Sequence, residues 1–277
     1  MNVWRALLEA SSSGRRVALC TVVGVDGSAP RSTGARMVVH EDGSITGTVG
    51  GGALEHRVRA EAARSLAEGT PRRVAVHLVR DLGMCCGGAM EVYVEPVQPQ
   101  ERLVIFGAGH IAHALAGQAL ALGFAVTVVD ERDAWNTAER FPGCARVDRD
   151  ARGHATRMEV AGRTLALVTT HDHALDQDLV ERLLPRGLAW VGLVGSRAKA
   201  ARFFLRFKAA GMDDGLFAQL RVPAGLDLGA ETPEEIALSI ASELVAVRRG
   251  RHGAVRPMSE IPLPARGGDG VSRVGGA

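Results

Sequence analysis

Residues 103–130 read LVIFGAGHIAHALAGQALALGFAVTVVD, and the fold follows from how this stretch is parsed. Leu103–Phe106 is a short apolar run of the kind buried on both faces of a parallel sheet. It breaks at Gly107-Ala108-Gly109-His110-Ile111-Ala112, a G-x-G-x-x-A pattern, and resumes with helical periodicity over Ile111–Leu122. Ala125–Val129 then reads as a second strand, closed by Asp130, 21 residues beyond Gly109. In such a unit Gly107 permits the tight turn, Gly109 lets the backbone approach a diphosphate, and the small Ala112 lets the helix lie close to the sheet. The helix N-terminus offers unpaired N–H groups to an anion, with His110 shaping the turn. An acid at Asp130 accepts hydrogen bonds from ribose hydroxyls, which favours NAD or another adenine nucleotide over NADP. The plainer alternative stays open: glycines that make a compact turn, and an aspartate that caps the next segment.

Downstream the alternation continues, with strands expected at Thr164–Thr170 and Ala189–Val194 and helices at Asp176–Leu184 and Arg197–Ala210. This implies right-handed crossovers and a Rossmann-like parallel sheet in an α/β fold. Thr232-Pro233-Glu234-Glu235 is a capping box with proline at the first helical position. Upstream the pattern is α+β. Val3–Ala10 and Ala53–Glu68 read as helices, and Arg16–Val25, Ala35–His40, Ile45–Val49, Arg72–Val79 and Ala89–Glu95 as strands. Pro96-Val97-Gln98-Pro99-Gln100 has two prolines and no period, so it reads as a linker. The expected organisation is an N-terminal α+β domain over 1–97, a Rossmann-like domain over 101–250, and a disordered tail over 251–277 rich in Gly, Pro and Arg.

Composition narrows the function classes. A formal charge of +2 on 277 residues gives no reason to expect nucleic acid as a partner. The longest apolar stretch, Ile111 to Val129, is interrupted by His113, Gln118 and Gly123, so no membrane span is expected. The N-terminus lacks the basic and apolar regions of a signal peptide. Cys20, Cys85, Cys86 and Cys144 have no disulfide or zinc-ribbon spacing, which fits a reducing, cytoplasmic setting.

Several clusters carry residue types suited to chemistry. Gly50-Gly51-Gly52 before a helix can form a nest of backbone donors, with Arg31 or Arg36 adding charge for a phosphate; a turn and a glycine-rich helix entry explain it equally. In Cys85-Cys86-Gly87-Gly88, a thiol beside two glycines has little cover and can meet several amides, conditions that favour thiolate and soft-metal chemistry. On residue type alone, two small apolar residues before a strand is the commoner reading. His171-Asp172-His173 is a weak metal-ligand set, explained equally well by capping of the next helix. Gly195-Ser196-Arg197 would face the same sheet edge.

Taken in order, Gly27-Ser28-Ala29-Pro30-Arg31, Gly47 to Glu55, Gly83 to Gly88, Gly107 to His110 and Val194 to Arg197 resemble the motif series of the xanthine dehydrogenase accessory (XdhC/CoxI) family. The resemblance implies a chaperone and not an enzyme. Such a protein binds the molybdenum cofactor and protects it while a cysteine desulfurase supports its sulfuration. It then delivers the cofactor to apo xanthine dehydrogenase or a related molybdenum hydroxylase. The resemblance also implies that Cys86 contacts the molybdenum or its dithiolene, with Cys85 at the variable preceding position and Gly87 and Gly88 beside them. Arg31, Gly50, Gly51, Gly52 and Glu55 would hold the phosphate or pterin. A cleft between the two domains would shield this cargo, and Gly107, Gly109, His110 and Asp130 would hold any nucleotide. A homodimer is left open.

Two other functions compete. One is an NAD-dependent oxidoreductase, against which stands Tyr93, the only tyrosine, with no lysine four residues on. The other is a nucleotide-sensing interaction module without cargo.

Overall fold

The computed structural model describes residues 2–83, 87–160, 163–209, 211, 213–251 and 253–255. Cys85, Cys86 and nearly all of the tail expected to be disordered lie outside the described residues. The chain is mixed α/β, with one antiparallel and one parallel sheet.

The first sheet holds β1 (Val17–Asp26), β2 (Arg36–His40), β3 (Ile45–Gly47), β4 (Arg72–His77) and β5 (Ala89–Val97), in the order β3-β2-β1-β5-β4, every pair antiparallel. Side chains alternate across the pleat. Ala18, Cys20 and Val22 of β1 and Val92 and Val94 of β5 bury against Leu54, Val58 and Ala62 of α2 (Gly52–Glu68). The opposite face is covered by α1 (Val3–Ser12), whose Ala6 and Ala10 pack on Val17 and Val38.

Two expectations need correction here. The strand expected to reach Val79 stops at His77, and Leu78–Leu82 forms the short helix α3. The His77 ring accepts the Arg80 N–H, and Asp81 Oδ2 accepts the His77 N–H at 2.8 Å, a reciprocal cap that outcompetes strand pairing. The expected linker is also shorter, because Pro96 and Val97 belong to β5. Pairing with β4 ends at Val94, so from Glu95 onward β5 has only β1 beside it, and a proline is tolerated there.

The second sheet holds β6 (Arg102–Phe106), β7 (Ala125–Val129), β8 (Ala145–Val147), β9 (Thr164–Val168), β10 (Trp190–Leu193) and β11 (Leu220–Arg221). All are parallel in the order β11-β10-β9-β6-β7-β8, the Rossmann arrangement, in which the strand order reverses between β6 and β9. On one face lie α4 (His110–Ala121) and α9 (Pro233–Arg248), where Leu115 and Ala119 pack with Ile240 and Leu244. On the other lie α5 (Ala151–Arg157), α6 (His173–Leu183) and α7 (Arg197–Ala209), followed by the one-turn α8 (Asp214–Phe217). The capping box at Thr232 forms as the sequence indicates, with Glu235 accepting the Thr232 N–H.

The halves meet where β5 ends and β6 begins. The Arg102 guanidinium donates to Ser12 O, and Glu101 is held by Arg163 and Arg248. A cavity of about 810 Å³ at this junction is lined by Arg16, Glu41, Gln98, Glu101, Arg163 and Arg248. Among the described residues no helix is long and apolar enough to cross a membrane.

Candidate functional site

Three N-terminal motifs converge at one end of the antiparallel sheet. Gly88 donates its N–H to Ser28 O at 3.0 Å, and a side chain there would collide with the Asp26 and Ser28 carbonyls. Gly50 lies on Pro30, with only 2.7 Å between a Cβ position at 50 and Pro30 Cγ. Gly51 has φ 76°, the left-handed region that favours glycine. Above Gly51, Gly52 and Gly87 the space is open, with no atom within 4 Å of a Cβ position. The 17-residue α2 starts at this turn without a side-chain cap hydrogen bond from Gly51. Glu55 Oε1 accepts the Gly51 N–H at 3.1 Å and the Thr48 hydroxyl at 2.5 Å, so one of its carboxylate oxygens braces the glycine turn. Arg31 is exposed beside Pro30, whereas Arg36 stacks on Trp4 of α1.

Beside this cradle, α2 and α3 enclose a hollow of about 550 Å³ lined by Gly52, Ala53, His56, Arg57, Asp81 and Leu82. His56 and Arg57 were missed in the sequence, although His56 lies four residues beyond Gly52 and Arg57 four beyond Ala53, on the same helical face. Hydrogen bonds from the Arg80 guanidinium and the His77 amide hold Asp81 down at about 2, so it stays ionised. Of the described thiols, burial pushes Cys20 up to about 12 and also raises Cys144, which leaves both as unreactive core or near-core groups.

At the mouth of the parallel sheet, Gly107 has φ 111° and donates to Val129 O at 2.8 Å. A Cβ there would run into the Thr169 carbonyl, so the turn after β6 and the loop after β9 touch. Asp130 Oδ2 accepts the Ala108 N–H at 2.7 Å and Arg132 Nη2 at 2.6 Å, while Oδ1 accepts the Arg132 N–H and Nε at 3.0 and 2.9 Å. Four donors saturate a carboxylate. Burial alone would raise its pKa, but the bonds from Arg132 and Ala108 outweigh that and hold it below the usual carboxylate range. Asp130 therefore braces the glycine turn, with both oxygens bonded to its own chain. Trp135 lies beside it, under Arg132 and Arg140 at 5.2 and 4.6 Å and edge-on to His110 at 5.4 Å.

Asp172 caps α6 by accepting the Ala174 N–H at 2.8 Å, so the capping explanation of His171-Asp172-His173 holds. Among the described residues no group of three His, Cys, Asp or Glu side chains could hold a metal ion. The first turn of α6 supplies one half of a buried ion pair the sequence did not reveal, Asp176 with Lys199 of α7 at 2.6 Å.

The cleft expected between the halves would involve Cys85 and Cys86, which lie outside the described residues. The glycine cradle sits at the amino end of β5, and the nine residues of that strand place it about 30 Å from the junction. The Rossmann mouth sits at the carboxyl end of β6, again away from the junction. The junction cavity is lined by none of the candidate residues.

The chain matches the XdhC Rossmann domain over 103–244 and the XdhC and CoxI family over 10–78. It is 32% identical over 261 residues to YqeB of Escherichia coli (strain K12), covering 92% of this chain and 48% of that protein. It is 30% identical over 159 residues to a probable xanthine dehydrogenase subunit of Bacillus subtilis (strain 168), covering 57% of this chain and 46% of that one. Over 302 residues it is 23% identical to the E. coli molybdenum cofactor insertion chaperone PaoD, covering 89% and 88%. The chain thus spans about half the length of the first two relatives and most of the third. By these matches, together with the glycine cradle and the Rossmann sheet, the chain belongs to the XdhC/CoxI family.

Proposed function

We propose that this protein is a molybdenum cofactor chaperone whose N-terminal unit, 1–97, grips the cofactor and whose Rossmann-like unit, 101–250, serves a separate ligand. One observation carries the reading: three glycine motifs meet at one sheet end and leave open space beside the uncapped start of α2. A bulky phosphorylated pterin needs such room, and backbone N–H groups can hold its phosphate without side-chain cost. His56 and Arg57 in the adjoining hollow supply further donors. Cys86 is the proposed molybdenum contact, with Cys85 beside it. The cargo would be sulfurated with a cysteine desulfurase and passed in the cytoplasm to apo xanthine dehydrogenase or a related molybdenum hydroxylase. The name of PaoD supports the cargo, and that of the B. subtilis relative supports the client.

The test is molybdenum and oxidised-pterin fluorescence on protein purified anaerobically from a molybdate-fed host. Near-stoichiometric cofactor is expected on the wild type and on Cys85→Ser, with most of it lost from Cys86→Ser. Absence of saturable uptake of authentic cofactor by the wild type would refute the proposal.

A further inference from the structure

The Asp176–Lys199 pair lies at the carboxyl edge of the parallel sheet, and the cargo reading makes no use of it. We infer that Lys199 anchors the distal half of a dinucleotide whose diphosphate rests on the Gly107–Gly109 turn. This inference rests on a nucleotide at the Rossmann mouth and is independent of the cargo held by the cradle.

Lys199 stands in the first turn of α7, which follows β10, and Asp176 in the first turn of α6, which follows β9. Both helix ends carry partial positive charge, so a lysine there is repelled by its own helix. Asp176, fully buried, compensates. Its Oδ2 accepts Lys199 Nζ, and its Oδ1 accepts the Thr170 N–H at 3.1 Å and the Thr170 hydroxyl at 2.7 Å. Val194 O accepts a second ammonium proton at 3.3 Å. Nζ also lies 5.6 Å from the centroid of the Phe203 ring; an ammonium has three donors, and among the described residues the third has no hydrogen-bond acceptor, on a side chain 13% exposed and not sealed from solvent. The stem lies over Gly195, where a Cβ would come within 2.6 Å of Lys199 Cδ. His173 is the other titratable group at this carboxylate, with Nδ1 3.9 Å from Asp176 Oδ2.

The pair is continuous with the glycine turn. The same Thr170 that binds Asp176 lies against Gly107, its Cα 3.1 Å from a Cβ position there. Gly107, Thr170, Asp176 and Lys199 therefore form an unbroken line across the point where strand order reverses, the place where open α/β sheets seat their ligands. At the opposite end of that line Asp130 is saturated by its own chain. Recognition consequently shifts from the adenosine ribose to the group beyond the diphosphate, where the free ammonium donor meets a hydroxyl or anionic oxygen.

Calorimetric titration of the full chain with ADP, ADP-ribose, NAD⁺, NADP⁺ and FAD tests this. ADP-ribose is expected to bind about tenfold tighter than ADP, the worth of one charge-assisted hydrogen bond. Lys199→Met should remove that advantage and leave ADP affinity within about twofold, so that ADP reports intact folding; Lys199→Arg should restore most of it. The NAD⁺, NADP⁺ and FAD arms show which second group fits. Equal loss of ADP and ADP-ribose in Lys199→Met, no preference for ADP-ribose in the wild type, or no binding at all overturns the inference. If Lys199→Met does not fold, the same comparison on Lys199→Gln decides. Molybdenum loading is read separately, so failure here leaves the cargo proposal standing, and the reverse also holds.

Discussion

The two sheets of this molecule solve the problem of a binding surface in opposite ways. At the antiparallel end the surface is made by leaving side chains out, with open space above Gly51, Gly52 and Gly87. At the parallel end it is made by filling every bond, with Asp130 and Asp176 each surrounded by donors from their own chain. The first end trades rigidity for room; the second fixes its turn and keeps few free groups. Substitutions should therefore damage capacity at one end and stability at the other.

The largest expected effect is at the parallel end. Asp176→Ala leaves the Lys199 ammonium mostly buried without a counter-charge, which costs about 3–5 kcal/mol. Urea unfolding of the full chain should show it, and the double variant Asp176→Leu/Lys199→Met should recover most of the loss. An Asp176→Ala protein as stable as the wild type would mean the pair is not buried as described.

Smaller, and a direct contrast, is the paired change of one glycine at each end. Gly107→Ala forces a Cβ onto the Thr169 carbonyl in a left-handed turn and should cost about 3 kcal/mol. Gly51→Ala meets only the conformational penalty of φ 76° with ψ 176°, about 2 kcal/mol, since nothing crowds it. Equal midpoints for the two would erase the distinction between the ends.

The smallest effect is confined to acid. The folded Asp130 carboxyl lies below its ordinary value, so its contribution is fully present above the unfolded pKa of about 3.9 and is lost as pH falls through the folded value. Asp130→Asn should flatten the stability profile below about pH 4, relative to wild type, and leave its shape unchanged from pH 5 to 8. An unchanged acid limb would show that the Arg132 clamp contributes nothing.

The parallel half was the more legible in sequence, because each signal was local. The apolar run at Leu103–Phe106, its glycine turn and the capping box at Thr232 each decide their own element. β8 and β11, of three and two residues, are too short to show a period. α3 escaped notice because its stop signal is a side-chain cap from His77 and Asp81, and Leu78 and Val79 alone read as strand. At the candidate sites, the glycines were visible and the bonding was not. A motif records the acid at Asp130 and not the arginine two residues on that bonds to it. Asp176 and Lys199 lie 23 residues apart, and only the parallel placement of β9 and β10 brings them together.

The placement of both sites away from the chain junction has an energetic consequence. The glycine cradle and the Rossmann turn are built on separate sheets and share no strand, so in an isolated chain the occupancies of two ligands held there should simply multiply, with a coupling free energy near zero. Cooperativity between them then becomes the signature of a third party, a macromolecule that touches both surfaces and makes release at one depend on what is bound at the other.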